Sequence, residues 1–267
     1  MIFVGGFSKS GTTFIARALG LFNQVSVKGE LDYFRQFFDQ MNLIFNNFNT
    51  NINVVNQEVY DGRGTLVPVD DNMMIDMHRD IFKRLFSAGT PVPAESQFWV
   101  EKSPHNIYWT NAIHAVFPEA RILSVYREPK AVFRSLIRQL SDHRDEAYTD
   151  PQSKVRQKSL KSFVHAWDIY VQHLETKQDT FIMVQCQRVV DNVQGFMAFA
   201  ERQVLQQKLG LARPLETLSK EYYLQTLPQA ARAKSLVQIG PNKVKLSRAE
   251  LEIIESRCRA PNLTFDF

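Results

Sequence analysis

The amino-acid sequence predicts a three-layer α/β fold, a central parallel sheet flanked by helices. Short apolar runs alternate with longer segments of helical apolar period, the pattern of strands that need crossover helices to run parallel. The first run ends in the turn Gly6-Phe7-Ser8-Lys9-Ser10-Gly11, which opens straight into a helical pattern. Pro129, directly behind the apolar run Arg121–Tyr126, sits where proline starts a helix.

Taken in order, residues 2–7 form the first strand and residues 12–22 the first helix, with Phe14, Ile15, Ala18, Leu19 and Phe22 on one face. Val25–Lys28 is a short second strand. Residues 30–48 carry Phe34, Phe37, Phe38, Met41, Phe45 and Phe48 at helical spacing, a face suited to a core or to an apolar pocket. Residues 49–69 are rich in Asn, with a turn at Asp61-Gly62-Arg63-Gly64, and read as the least regular segment, an acceptor-side lid or a plain surface insertion. Asp70 or Asp71 caps a helix running to about Ala88, with Gly89 behind it. Phe98–Lys102 is the third strand. Trp109, Ala112, Ile113, Val116 and Phe117 make a helical stripe, and Arg121–Tyr126 is the fourth strand. A long amphipathic helix covers residues 156–178, Phe181–Val184 is a strand, and a helix follows to about Leu209. Ser247-x-x-Glu250 is a capping box that opens the last helix.

The turn after the first strand carries the most chemistry. Gly6 and Gly11 have the G-x-x-x-x-G spacing of a P-loop, so the fold expected is P-loop-like. Thr12 and Thr13 follow where a P-loop has Lys and Ser/Thr, and the cation stands inside the loop as Lys9. Such a turn aims backbone N–H groups and a positive helix end at a phosphate-like group. Without the lysine that reaches the β- and γ-phosphates, it predicts phosphate binding without magnesium-nucleotide hydrolysis.

Lys9-Ser10-Gly11-Thr12-Thr13 resembles the 5′-phosphosulfate loop of sulfotransferases that use 3′-phosphoadenosine-5′-phosphosulfate (PAPS) and release 3′,5′-phosphoadenosine (PAP). Other segments extend the resemblance over most of the chain. Arg127-Glu128-Pro129, with Ser135 eight residues after Arg127, resembles the family's 3′-phosphate motif; an arginine forks onto phosphate and a helix hydroxyl completes the contact. Glu101-Lys102-Ser103-Pro104 resembles a segment of the glycan-directed and bacterial branches that places a lysine near the sulfuryl group, a role that falls on Lys102. Glu30, just past the second strand and followed by aromatics, matches the position of the general base in the glycan-directed branch. His105 and Asp32 are the alternative bases, since the small-molecule branch uses a histidine. Gly240-Pro241-Asn242-Lys243-Val244-Lys245 is similar to the late loop that closes over the 3′-phosphate, which makes Gly240 and Lys243, or Lys245, candidate donor contacts.

The resemblance implies one sulfotransferase domain over residues 1–267, with PAPS as donor and no metal. The expected reaction is in-line transfer to an acceptor hydroxyl, or to an amine. The acceptor is a small molecule, a lipid or a glycan. Two other readings share the expected fold: a small-molecule or nucleotide kinase of the P-loop class, and a non-catalytic module that binds the nucleotide only.

Composition narrows the classes further. A net charge of +4 and a pI near 9.0 suit a polyanionic ligand, while the lack of a basic block argues against nucleic acid. Cys186 and Cys258 provide neither a disulfide framework nor a metal cluster, and read as unpaired thiols. No signal peptide and no apolar run of about 18 residues is visible, so a cytoplasmic enzyme without an integral membrane segment is expected.

Overall fold

A computed structural model describes residues 1–64, 66–88, 92–143, 145–218 and 244–267. Five strands form one all-parallel sheet in the order β2-β3-β1-β4-β5. They are β1 (Ile2–Gly6), β2 (Val25–Gly29), β3 (Phe98–Lys102), β4 (Arg121–Tyr126) and β5 (Ile182–Gln185). The helices are α1 (Thr12–Leu19), α2 (Asp39–Glu58), α3 (Asp71–Ser87), α4 (Thr110–Val116), α5 (Pro129–His143), α6 (Lys154–Thr176), α7 (Cys186–Asp191), α8 (Val193–Phe199) and α9 (Arg248–Arg257).

The alternation of side chains along each strand builds two cores from one sheet. Phe3, Ile122, Tyr126 and Met183 face a layer that includes Phe82, Phe86, Ile113, Phe133, Trp167 and Ile254. Ile2, Val4, Leu123, Val125 and Val184 face the opposite layer, with Ile15, Leu19, Val189, Phe196 and Phe199. Both faces of the central strands β1 and β4 are covered, which is why they read as continuous apolar runs, while the edge strand β2 alternates. The chain leaves β1 toward one edge of the sheet to form β2 and β3, then returns to the other side for β4 and β5. The carboxyl end of β1 is therefore the point where the winding reverses, the usual place for a ligand crevice.

Strands β3 and β4 and the Pro129 start of α5 match the sequence expectation residue for residue. Asp70 caps α3 by accepting from Met73 N at 2.8 Å, and the Ser247–Glu250 capping box is present. Two expectations are corrected. Residues 49–58 are not irregular: they continue α2, because the asparagines hydrogen-bond the chain that turns back beside them. Asn42 Oδ1 accepts from His78 Nε2, Asn49 exchanges two bonds with Val69 at 2.7 Å, and Asn56 donates to Leu66 O at 2.9 Å. Spaced by seven residues, they occupy one face of the helix. The helix after β5 is also not continuous. It breaks at Asn192, whose side chain caps α8 through Gly195 N, and ends in a π-helical turn, Ala200–Leu205. Gly89 lies outside the described residues.

Candidate active site

The Lys9 loop keeps its shape through two glycines. Gly6 has φ +150° and Gly11 φ +104°, the second in the left-handed region that favours glycine. A Cβ on Gly6 would stand 2.5 Å from Val125 O, and one on Gly11 2.4 Å from Cys186 Sγ. The loop thus rests directly on the ends of β4 and α7. Gly11 gives α1 no side-chain cap, and no acidic residue occupies its first turn, so the positive helix end is left for an anion. Ser10 is fully buried and its Oγ has no partner among the described residues, which fits a ligand oxygen arriving in the loop. Thr12 is buried and Thr13 exposed at the helix start. Lys9 itself has φ +73° at the loop tip. Burial holds its ammonium below the ordinary lysine value of 10.5; Glu30 opposes the shift, and the charges of Lys102 and Arg138 add to it.

Parallel register places the next two groups. Gly29 pairs with Lys102 at the carboxyl ends of β2 and β3, so Glu30 emerges directly beside Lys102. Glu30 N donates to Lys102 O at 2.6 Å, and Lys102 Nζ donates to Glu30 Oε1 at 2.5 Å. The Lys102 side chain is 7 % exposed and that of Glu30 65 %, so the lysine lies at the floor and the carboxylate at the mouth.

Beneath this pair lies a residue to which sequence reasoning gave no role. Glu101 is buried and its carboxylate accepts from Leu31 N at 3.0 Å, Asp32 N at 3.3 Å, Ser103 Oγ at 2.6 Å and Asn106 Nδ2 at 2.6 Å. Burial raises its pKa, and those four donors pull the other way. It therefore pins the backbone immediately after Glu30, where both Glu30 (φ +51°) and Asp32 (φ +49°) hold left-handed conformations unfavourable for non-glycine residues. Sequence supplied only its place in the Glu101-Lys102-Ser103-Pro104 string.

The alternative bases are engaged elsewhere. Asp32 Oδ2 accepts from Arg35 Nε at 2.6 Å, and its Oδ1 lies 3.4 Å from His105 Nδ1. His105 is thus directed at Asp32, while Glu30 is held by Lys102. Tyr33, three residues past Glu30, bonds His78 Nδ1 at 2.8 Å, and His78 Nε2 meets Asn42 Oδ1 at 2.9 Å. Burial lowers the His78 pKa and raises that of Tyr33 to about 12, so a neutral ring accepting from Tyr33 and donating to Asn42 satisfies all three.

On the other side of β1, Arg127 lies at the end of β4 with its Nη1 3.4 Å from Lys9 O, and it opposes the burial-raised pKa of Cys186. Ser135 is half-buried on α5, and Arg138, one turn further, acts on Lys9. Arg138 was not singled out from sequence; its i+3 spacing from Ser135 was the available signal. Gly240 and Lys243 lie outside the described residues. Lys245 is exposed, and its carbonyl accepts from Arg156 Nη2 at 2.7 Å.

A cavity of about 500 Å³ borders the loop, lined by Phe7, Leu136, Tyr148, Ser159, Ser162 and Phe163 among others. A larger one of about 880 Å³ between α6 and α9 touches none of the groups at the strand ends. Among the described residues, no cluster of His, Cys, Asp or Glu has a metal-binding arrangement, and no helix is long and apolar enough to cross a membrane. Cys186 and Cys258 are both buried and free.

The parallel sheet thus carries an uncapped helix start, two lysines and a carboxylate at its carboxyl edge. Comparison makes the class specific. Residues 2–205 match the model of the sulfotransferase family, and the chain belongs to that family. It is a transferase by membership, and the family's chemistry is sulfuryl transfer. Among solved structures it is similar to the sulfotransferase STF1 from Mycobacterium tuberculosis, at 14 % identity over 89 % of this chain and 75 % of that one, with a TM-score of 0.44. No curated protein matches it.

Proposed function

We propose that this chain transfers a sulfuryl group from PAPS to an acceptor hydroxyl by in-line displacement. The observation that carries this reading is the meeting of Lys9, Lys102 and Glu30 beyond three neighbouring strand ends. PAPS supplies the activated sulfuryl group when bound. The buried, unpartnered Ser10 Oγ and the uncapped start of α1 fit its 5′-phosphate side. Lys9 and the loop N–H groups hold charge there as the phosphate side leaves, and Lys102 neutralises the sulfuryl oxygens. Arg127 and Ser135 hold the 3′-phosphate and so separate PAPS from ATP.

The Lys102–Glu30 bond gives the mechanism an order. While Lys102 donates to Glu30, the carboxylate is engaged. When Lys102 turns to a sulfuryl oxygen, Glu30 is released to take the acceptor proton. No fixed metal is required, since the cations at the strand ends provide the positive charge. The small-molecule, lipid or glycan class of the acceptor follows from this chemistry only as a hydroxyl bearer.

The experiment is acceptor screening with sulfur-labelled PAPS, wild type against Glu30→Gln and His105→Ala. Glu30→Gln keeps the shape and removes the base, so kcat should fall by about 10²–10⁴-fold with PAP binding retained. Near-normal turnover of Glu30→Gln, with His105→Ala inactive but still binding PAP, would reassign the base to His105. ATP hydrolysis in place of label transfer would point to the kinase reading.

A further inference from the structure

Eleven of the seventeen large apolar side chains exposed among the described residues fall between Phe37 and Met77, on α2, the start of α3 and the segments that lead into them. Such a concentration marks an interaction surface. On α2 the core face is already used, by Phe45 and Ile52, both buried. Beside it runs a second stripe: Met41, Ile44, Phe48, Asn51 and Val55, spaced by three, four, three and four residues. This is the heptad seam of a paired helix, with one asparagine in it. Among the described residues the middle of the seam is unfilled: Ile44 is 57 % and Phe48 49 % exposed, while Met41 and Val55 at its ends are half-buried.

Charge selects the occupant. From Gln40 to Gln57 the helix carries no ionisable residue, and the charges at its two ends, Asp39, Glu58 and Asp61, are acidic. Helices that lie on membranes are rich in lysine and arginine on their polar face, and this one has none between Arg35 and Arg63. A charged partner would find no complement along the seam. A second copy of the same helix meets no like charge there and matches the seam by its own period, with Asn51 fixing the register.

We propose that α2 is a two-fold dimer interface, closed by Met41, Ile44, Phe48 and Val55 of two copies of this chain. The proposal is independent of the catalytic assignment, because none of these side chains belongs to the strand-end site. The test is sedimentation equilibrium of the full chain at about 50 µM, well above a micromolar dissociation constant. The mass expected is twice the 30.9 kDa of one chain. Ile44→Glu and Phe48→Glu should each halve that mass, and because both positions are exposed, the thermal transition followed by circular dichroism should show a folded chain. A wild type that sediments as a monomer overturns the proposal. So does a dimer that persists in both folded variants, which would place the contact elsewhere, or a monomer that floats with vesicles of neutral phosphatidylcholine.

Discussion

In the proposed reaction Lys9 serves as a cation, yet its surroundings disfavour the charge. Burial, Lys102 and Arg138 all act against its ammonium, with Glu30 as the opposing partner. Charge kept in a desolvated place is effective when it meets charge that develops in the transition state. Lys9→Ala should therefore lower kcat by about 10²-fold or more, with a smaller loss in PAP affinity. The pH dependence has a definite sign. A depressed lysine pKa means that the active, charged form is lost at a pH below the ordinary 10.5, so the alkaline limb of kcat should fall early. Lys9→Arg, which stays charged, should move that limb upward. Unchanged turnover in Lys9→Ala would remove the loop from the chemistry. Arg127 makes a separate claim. Its loss should weaken PAP by roughly 2–3 kcal/mol, the scale of a charge-assisted bond, and leave 5′-AMP nearly unaffected. Calorimetry with both nucleotides decides it, and equal losses would reduce Arg127 to a prop for the Lys9 carbonyl.

At the scale of elements, the polar contacts of the last helix centre on one buried group. Arg156, with no exposed side-chain surface, donates to Glu250 through Nε and Nη2 at 2.7 Å. Its remaining N–H groups reach the carbonyls of Tyr148, Thr149 and Lys245. One guanidinium thus joins α6, the turn before it and the entry to α9. Breaking a buried pair strands a charge. Glu250→Ala should cost about 3–5 kcal/mol in urea unfolding, and it also loses the capping box of α9. Glu252→Ala, which removes the exposed Arg248–Glu252 pair, should cost no more than about 0.5 kcal/mol. Similar losses in the two variants would show that the Arg156 site is solvated. The capping box was legible in the sequence because its partners lie three residues apart. The pairing of Arg156 with Glu250 was not, since they are 94 positions apart and nothing local says which charge of a helix turns inward.

For the whole molecule, we propose that residues 1–267 unfold as one unit, because the two cores share the strands β1, β3, β4 and β5 of a single sheet. All three tryptophans report on one face: Trp167 is in that core, and Trp99 and Trp109 pack against it. Leu19 is fully buried in the other core. Leu19→Ala should destabilise by about 2–5 kcal/mol, and the tryptophan fluorescence transition should shift with the circular dichroism transition. Separated transitions would divide the chain into two folding units.

The sequence by itself determined the elements and the loop. Apolar period sets which segments become strands and helices, and Gly6 and Gly11 set the turn, because these preferences act over a few residues. What only the tertiary structure decided was adjacency. The order β2-β3-β1-β4-β5 and the pairing of Gly29 with Lys102 put Glu30 against a lysine 72 positions away. The same packing turned Glu101 from a strand-end charge into the buried acceptor that holds the backbone after Glu30. It also turned an asparagine-rich stretch into a helix bound to its own return. Hydrogen bonds and ion pairs between distant segments exist only once the fold has brought those segments together, so no local pattern announces them.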